Sequence, residues 1–142
     1  MADKVEFELV SPEKLLVSQP VQMVVVPGAE GFFGVLAGHA PMIVTVKPGI
    51  IDIYADDMAT ISKRLFVAGG FCEVTATRVT ILADEATELD VILGLDRAVL
   101  EKQAADLTED LADAKTEVER TAVEAKLAIV QAKLELQGAT LH

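Results

Sequence analysis

The chain has 142 residues and a formal net charge of −11, and 51% of its residues are hydrophobic. This length suits one ordinary domain, or a small domain with an appendage, and the hydrophobic fraction is sufficient for a buried core. An acidic chain repels phosphate backbones and anionic lipids, so binding to nucleic acids or to a membrane surface is a poor hypothesis. No apolar run approaches the roughly 20 residues needed to cross a bilayer.

Two features bear on the cellular compartment. The first residues, Met1 to Glu6, contain neither the basic and apolar regions of a signal peptide nor the arginines of a transit peptide. We therefore expect a bacterial cytoplasmic protein. The single cysteine, Cys72, has no partner for an internal disulfide, and its place in a strand-like run predicts a small buried side chain rather than a reactive thiol.

The first half of the chain has the pattern of short β-strands. Hydrophobic and polar residues alternate from Val5 to Leu9, and the same period of two recurs along the following segments. Turn-forming pairs such as Pro27-Gly28 and Asp56-Asp57 separate these segments. All five prolines and all six aromatic residues lie before residue 72. We therefore predict an all-β sandwich of about ten short antiparallel strands over residues 1–86.

Residues 87–142 have a different pattern, which predicts an antiparallel hairpin of two helices. No glycine, proline or aromatic residue occurs from residue 95 to residue 137. Asp96 can cap the start of a first helix, and Thr116 and Glu119 have the spacing of a capping box for a second helix. Gly138 is placed to cap the end of that second helix.

Apolar residues at spacings of three and four form one seam on each predicted helix. The seam residues are Leu100, Leu107 and Leu111 in the first helix and Val123, Leu127, Val130 and Leu134 in the second. In an antiparallel hairpin the two seams close on each other. The alternative is a single unbroken helix over residues 97–137, since no glycine or proline enforces a turn, but its apolar stripe would remain exposed.

The residues do not predict a catalytic or cofactor site. The chain has two histidines, His39 and His142, and no Cys/His cluster of the kind that binds zinc. It has no Gly-x-x-x-x-Gly-Lys-Ser/Thr loop for nucleotide phosphates. The 14 acidic and 6 basic residues of segment 84–142 are typical of solvated helix faces. We therefore predict no enzyme activity, no catalytic residues, no cofactor and no metal, and we interpret His39 as structural or as part of an interface.

One segment resembles a known protein family. Residues 26–41, Val-Pro-Gly-Ala-Glu-Gly-Phe-Phe-Gly-Val-Leu-Ala-Gly-His-Ala-Pro, are similar to the best-known segment of the epsilon subunit of bacterial F-type ATP synthase. Lys47-Pro48-Gly49 follows at the distance typical of that family, and residues 69–74 and 79–84 match its last strands. The resemblance covers essentially the whole sequence. The mitochondrial delta subunit is the organellar counterpart, and the missing transit peptide favours the bacterial version.

The resemblance implies a non-catalytic subunit of the central rotor stalk. In this family the β-sandwich joins the gamma subunit to the c ring, which couples proton flow to ATP synthesis. The hairpin of some relatives reaches the alpha and beta subunits and inhibits ATP hydrolysis. We therefore expect these subunits as partners, no nucleic acid, and a peripheral location on the cytoplasmic face of the bacterial inner membrane. The residues expected at the interface with gamma and the c ring are Glu30, Gly31, Phe32, His39 and Pro41.

Strand alternation adds an expectation about the two adjacent phenylalanines in this segment. One should face the core and the other should face out, because successive residues of a strand point to opposite sides. We predict that Phe33 faces inward and that Phe32 faces outward, towards the c ring. An exposed phenylalanine is a typical anchor of a protein interface.

The sequence departs from the family at a motif that some relatives use to bind ATP. Those relatives carry Ile/Leu-Asp-x-x-Arg-Ala at the start of the first helix, whereas this protein has Leu95-Asp96-Arg97-Ala98, without the two-residue spacer. Adjacent helical residues point about 100° apart, so Asp96 and Arg97 do not converge as the motif requires. We expect weak ATP binding or none. The remaining alternative is a free-standing, nucleotide-sensing β-sandwich with a regulatory hairpin.

Overall fold

The computed structural model describes residues 3–139, which form ten strands followed by three helices. The strands are β1 (Val5–Val10), β2 (Leu15–Val21), β3 (Met23–Gly28), β4 (Gly31–Val35), β5 (Met42–Val46), β6 (Gly49–Tyr54), β7 (Lys63–Val67), β8 (Gly70–Val74), β9 (Arg78–Ala83) and β10 (Ala86–Glu88). The helices are α1 (Leu89–Leu93), α2 (Arg97–Asp113) and α3 (Glu117–Ala139). The predicted fold class, a β-sandwich followed by two long helices, is confirmed.

The strands form one hydrogen-bonded series that folds into two layers. Their order is β10-β7-β6-β3-β5-β8-β9-β1-β2, and β4 pairs with β3 off this path. Between β3 and β5 the ladder is reduced to the pair Gly28 and Val46, which marks the junction of the layers. Inward side chains of both layers meet in one core, whose largest fully buried members are Phe7, Leu9, Ile51, Ile53 and Ile81.

One strand pairing differs from the sequence-based prediction of an antiparallel sheet. β1 runs parallel to β9, with Phe7 opposite Val79 and Leu9 opposite Ile81. The other strand pairs among residues 3–139 are antiparallel. Alternation within a strand specifies which residues face the core, but it carries no information on the direction of the neighbouring strand.

The chain divides into two compact units, with the boundary between Leu89 and Asp90. Of the described residues, 3–89 form the β-unit and 90–139 form the helical unit. The boundary expected from sequence, after residue 86, falls inside β10, which pairs with β7. A strand of three residues is too short for its periodicity to be recognised. Independent folding of residues 1–86 stays a prediction.

The break between the two long helices lies where the capping residues predicted it. Asp96 Oδ1 accepts a hydrogen bond from the backbone N–H of Ala98 at 2.9 Å, which caps the start of α2. Thr116 Oγ1 accepts from the N–H of Glu119 at 3.1 Å, and the Glu119 carboxylate accepts from the N–H of Lys115 at 3.0 Å. These contacts stabilise the start of α3, and they exclude the unbroken helix that the sequence had left open.

Two details of the helical unit were not foreseen correctly. The predicted C-cap at Gly138 is wrong, because α3 continues through Gly138 to Ala139. Gly138 is also absent from the described glycines with positive φ, the conformation that a glycine cap uses. The short helix α1 was not predicted at all, since its five residues span little more than one turn.

Candidate functional site

The turn that carries Glu30 is a tight hairpin between β3 and β4. Gly28 pairs with Gly31, which leaves Ala29 and Glu30 as the turn residues. The N–H of Ala29 donates to the carbonyl of Thr45 at 2.9 Å, so the turn is tied to the end of β5. Gly31 has a φ of +134°, a conformation that side chains with a Cβ rarely adopt. The backbone therefore holds Glu30 and Gly31 at one end of the β-unit.

The two phenylalanines of β4 face opposite sides, as predicted. Phe32 is 65% exposed, whereas Phe33 packs against the hydrophobic core. The ammonium group of Lys47 lies 5.8 Å from the centroid of the Phe32 ring, within the range of a cation–π contact. Phe32 also lines a surface depression together with Ile43, which is 73% exposed. The predicted orientation is thus confirmed.

The other two predicted interface residues, His39 and Pro41, lie in the connection between β4 and β5. His39 is half-buried and Pro41 is exposed. His39 Nδ1 lies 2.7 Å from the carbonyl oxygen of Ala40, and the His39 N–H donates to the carbonyl of Leu36 at 3.2 Å. These main-chain contacts favour a structural histidine. Because β4 separates this connection from the Glu30 turn, the predicted interface residues form two groups, one at each end of that strand.

A second apolar surface crosses the outer face of the layer that contains β8 and β9. Leu15 pairs with Val10, Val10 with Leu82, and Leu82 with Phe71, so one row of side chains spans four strands. Leu15, Leu82 and Phe71 are 55%, 54% and 57% exposed. We call this row the outer stripe. Contiguous exposed apolar surface of this kind marks interaction sites.

The surroundings of the outer stripe resemble the rim of an interface. The neighbouring row on the same face contains Glu73, Thr80 and Glu8, which lie opposite one another on β8, β9 and β1. Glu8 also forms an ion pair with Arg78. Phe71, at one end of the outer stripe, pairs with Thr45 of β5. Thr45 also lines the surface depression that contains Phe32. The two apolar surfaces therefore adjoin.

The sequence analysis missed the outer stripe, although a signal for it exists. Phe71 precedes the buried Cys72, and Leu82 follows the buried Ile81. Consecutive apolar residues in a strand mean that both faces of the strand are apolar. When one of those faces is exposed to solvent, its apolar residues indicate a functional surface. Which runs lie beside each other depends on the pairing of β2, β1, β9 and β8.

The residues of the predicted hairpin seam are only thinly covered. Leu100 and Val130 are buried, whereas the other seam residues are only half-buried: Leu107, Leu111, Val123, Leu127 and Leu134. Partial burial of aliphatic side chains contributes little free energy per residue, because the apolar area removed from water is small. The hairpin is therefore held more weakly than the β-unit.

Among the residues that the structure describes, Asp57 and Cys72 have clearly shifted pKa values, and neither shift indicates catalysis. The backbone N–H groups of Ala59 and Thr60 donate to the Asp57 carboxylate and lower its pKa, as expected for a turn residue. Burial raises the pKa of the Cys72 thiol to about 12. Within residues 3–139 no group of three potential metal-binding side chains occurs, and no helix there has the length and apolar character of a membrane span.

Comparisons with known proteins cover both units. The family described as ATP synthase, Delta/Epsilon chain, beta-sandwich domain matches residues 4–89. The family described as the C-terminal domain of the ATP synthase epsilon chain matches residues 96–142.

Similar proteins have been named in several bacteria. The ATP synthase epsilon chain of Rhodospirillum centenum is 70% identical over 123 residues, which are 87% of this chain and 84% of the relative. The ATP synthase epsilon chain of Paramagnetospirillum magneticum is 56% identical over 117 residues, 82% of this chain and 84% of the relative.

Solved structures share the fold. A subunit of the Euglena gracilis mitochondrial ATP synthase, solved as OSCP/F1/c-ring in rotational state 1, superposes with a TM-score of 0.75 at 24% identity. The match covers 100% of this protein and 84% of that one. A subunit of the Tetrahymena thermophila mitochondrial ATP synthase central stalk/c-ring superposes with a TM-score of 0.68 at 13% identity, covering 96% of this protein and 98% of that one. From the two family matches and the identity to named relatives, we conclude that this protein belongs to the family of ATP synthase epsilon chains.

Proposed function

We propose that the protein is a non-catalytic subunit of the central rotor stalk of a proton-translocating F-type ATP synthase. In this role it links the gamma subunit to the c ring and couples proton flow to ATP synthesis. It is peripheral to the cytoplasmic face of a bacterial inner membrane and is held there through its partners. The observation that carries the proposal is the pair of adjoining apolar surfaces on the β-unit of a member of this family.

A link between two partners needs two surfaces, and the β-unit offers two of different shape. The outer stripe spans four strands on a sheet face, which suits the broad surface of a folded subunit, and we assign it to gamma. The Glu30 turn with Phe32 projects at one end of the unit, which suits a loop of the ring, and we assign it to the c ring. Because the surfaces adjoin, both partners can be engaged at once.

The proposal is tested by placing a charge on the outer stripe. Leu82→Lys is expected to weaken binding to purified gamma by about a hundredfold, because an ammonium group is costly to bury without a partner. The fold should be spared, since Leu82 is 54% exposed. The matched control is Met58→Lys, at a residue 48% exposed in the connection between β6 and β7, in the other layer. Unchanged gamma affinity in Leu82→Lys, or an equal loss in both variants, would rule out the outer stripe as the gamma contact.

The contact with the c ring is tested at Phe32. Phe32→Ala is expected to weaken binding to membranes that contain the ring by about tenfold or more, because a large exposed aromatic is a typical interface anchor. Its melting temperature should match that of the unmodified protein, since the side chain is 65% exposed. Co-sedimentation with ring-containing membranes and a thermal melt measure the two effects. A lowered melting temperature with normal membrane binding would mean that Phe32 serves the core instead.

The helical hairpin is the proposed regulatory element, with alpha and beta as its partners and ATP hydrolysis as the regulated activity. Its thinly covered seam supports this role, since a weakly held element can exchange its partner helix for another surface. This regulatory role of the hairpin does not depend on the assignment of gamma and the c ring to the two surfaces of the β-unit.

We expect the hairpin to act without binding ATP. Asp96 is engaged as the cap of α2, and Arg97 Nε lies 3.0 Å from the Glu101 carboxylate, so neither side chain is directed to a shared phosphate site. Titration calorimetry of the full protein with Mg-ATP should give no heat at millimolar nucleotide. A dissociation constant in the low micromolar range would contradict this expectation.

A further inference from the structure

The last turns of α3 carry a buried polar side chain that reaches back to the start of the helical unit. Gln137 is 7% exposed, and it is the only polar residue among residues 3–139 that is buried. Its Nε2 donates to the carbonyl oxygen of Ile92 at 3.0 Å and to that of Leu95 at 2.9 Å. One amide group thus binds main-chain atoms that precede it by 45 and 42 residues.

The two acceptors lie at positions that regular helical bonds do not satisfy. Ile92 belongs to the last turn of α1, and Leu95 directly precedes the residue that caps α2. Carbonyls at the end of a helix have no partner within that helix. The Ile92 carbonyl accepts one further bond, from the N–H of Leu95 at 3.2 Å. Gln137 therefore caps the junction of α1 and α2 from the far end of α3.

The ion pairs described for α2 do not perform this task. They join Arg97 with Glu101 and Lys102 with Asp106, four residues apart within the helix, so they do not connect it to α3. The seam between the helices is mostly half-buried, as described above. The two bonds of Gln137 are directional contacts that join the end of α3 to the segment that precedes α2.

We propose that Gln137 is a latch that keeps the hairpin closed. Separation of α3 from the junction of α1 and α2 requires its two amide hydrogen bonds to break and the exposed carbonyls to be hydrated. In this proposal the bonds of Gln137 determine how often the hairpin opens, whereas the apolar seam determines how α2 and α3 align. This inference concerns the isolated protein and holds whether or not the proposed function in the rotor stalk is correct.

The test is amide hydrogen exchange on the full protein, followed by mass spectrometry of peptides. Gln137→Leu retains a side chain of similar size and good helix propensity but removes both donors, and Gln137→Glu also places a charge beside the carbonyls. The matched controls are Gln131→Leu and Gln131→Glu, at an exposed glutamine in the same helix. We expect exchange in residues 90–96 and in the last turns of α3 to accelerate about tenfold in both Gln137 variants.

Exchange in the β-unit should be unchanged in all four variants, and the Gln131 variants should match the unmodified protein throughout. Far-UV circular dichroism checks that the helices persist in Gln137→Leu. If the hairpin of Gln137→Glu unfolds altogether, the exchange rates of Gln137→Leu alone test the proposal. Unaltered protection of residues 90–96 in Gln137→Leu would overturn the proposal. An equal acceleration in the Gln131 variants would also overturn it, since the effect would then arise from helix propensity alone.

Discussion

Replacing Gly70 with alanine is expected to destabilise the β-unit by about 4 kcal/mol or more, among the largest effects of a single substitution. Gly70 has a φ of +139°, which a residue with a Cβ rarely adopts. An added Cβ would overlap the main-chain oxygen of Leu82 and lie 2.9 Å from Ala83 Cα. Both obstacles are backbone atoms of β9, which pairs with β8 at this point, so neither can move without breaking the ladder.

The measurement is urea unfolding, monitored on the full protein. Gly138→Ala is the matched control, because an added Cβ at that helical position meets nothing within 4 Å. That variant should gain about 0.5–1 kcal/mol from improved helix propensity in the hairpin. A loss below about 1 kcal/mol in Gly70→Ala would show that β8 and β9 can separate locally at little cost.

The thiol of Cys72 is expected to react at least about a thousandfold more slowly in the native protein than in urea. Its side chain is fully buried in β8, and burial raises its pKa from the ordinary 9.0 to about 12. The thiolate is the reactive form, and a pKa about three pH units higher lowers its fraction at neutral pH about a thousandfold. Alkylation with iodoacetamide at a mildly alkaline pH, followed by mass spectrometry, measures the ratio. Labelling of the native protein at the rate of the unfolded one would contradict the buried placement.

The same thiol makes stability depend on pH in the alkaline range. Its pKa is higher in the folded state, so its contribution is fully present below pH 9.0 and is lost as pH rises towards about 12. Over this interval the unfolded protein releases the proton first, and the free energy of unfolding falls. Urea unfolding of the unmodified protein and of Cys72→Ala isolates the effect, because other groups titrate alike in both. An equal alkaline fall in the two proteins would contradict the assignment to Cys72.

Several features could be predicted from the sequence because they depend on neighbouring residues. Alternation over a few positions determined which side of a strand faces the core, and it separated Phe32 from Phe33. The caps of α2 and α3 follow from side chains within four residues of the groups they bind, so Asp96 and Thr116 were recognisable. The resemblance to the epsilon family rests on the same kind of local order, a run of residues at a particular spacing.

Other features were decided by the tertiary structure, because they depend on which distant segments become neighbours. The outer stripe exists only because β2, β1, β9 and β8 lie side by side in one register, so that Leu15, Leu82 and Phe71 share a row. Gln137 reads as an ordinary polar residue of α3 until folding places it beside carbonyls 42 and 45 residues away. The parallel pairing of β1 with β9 has the same origin. Strand and helix periods specify the faces that must be buried, but long-range pairing determines which exposed groups those faces bring together.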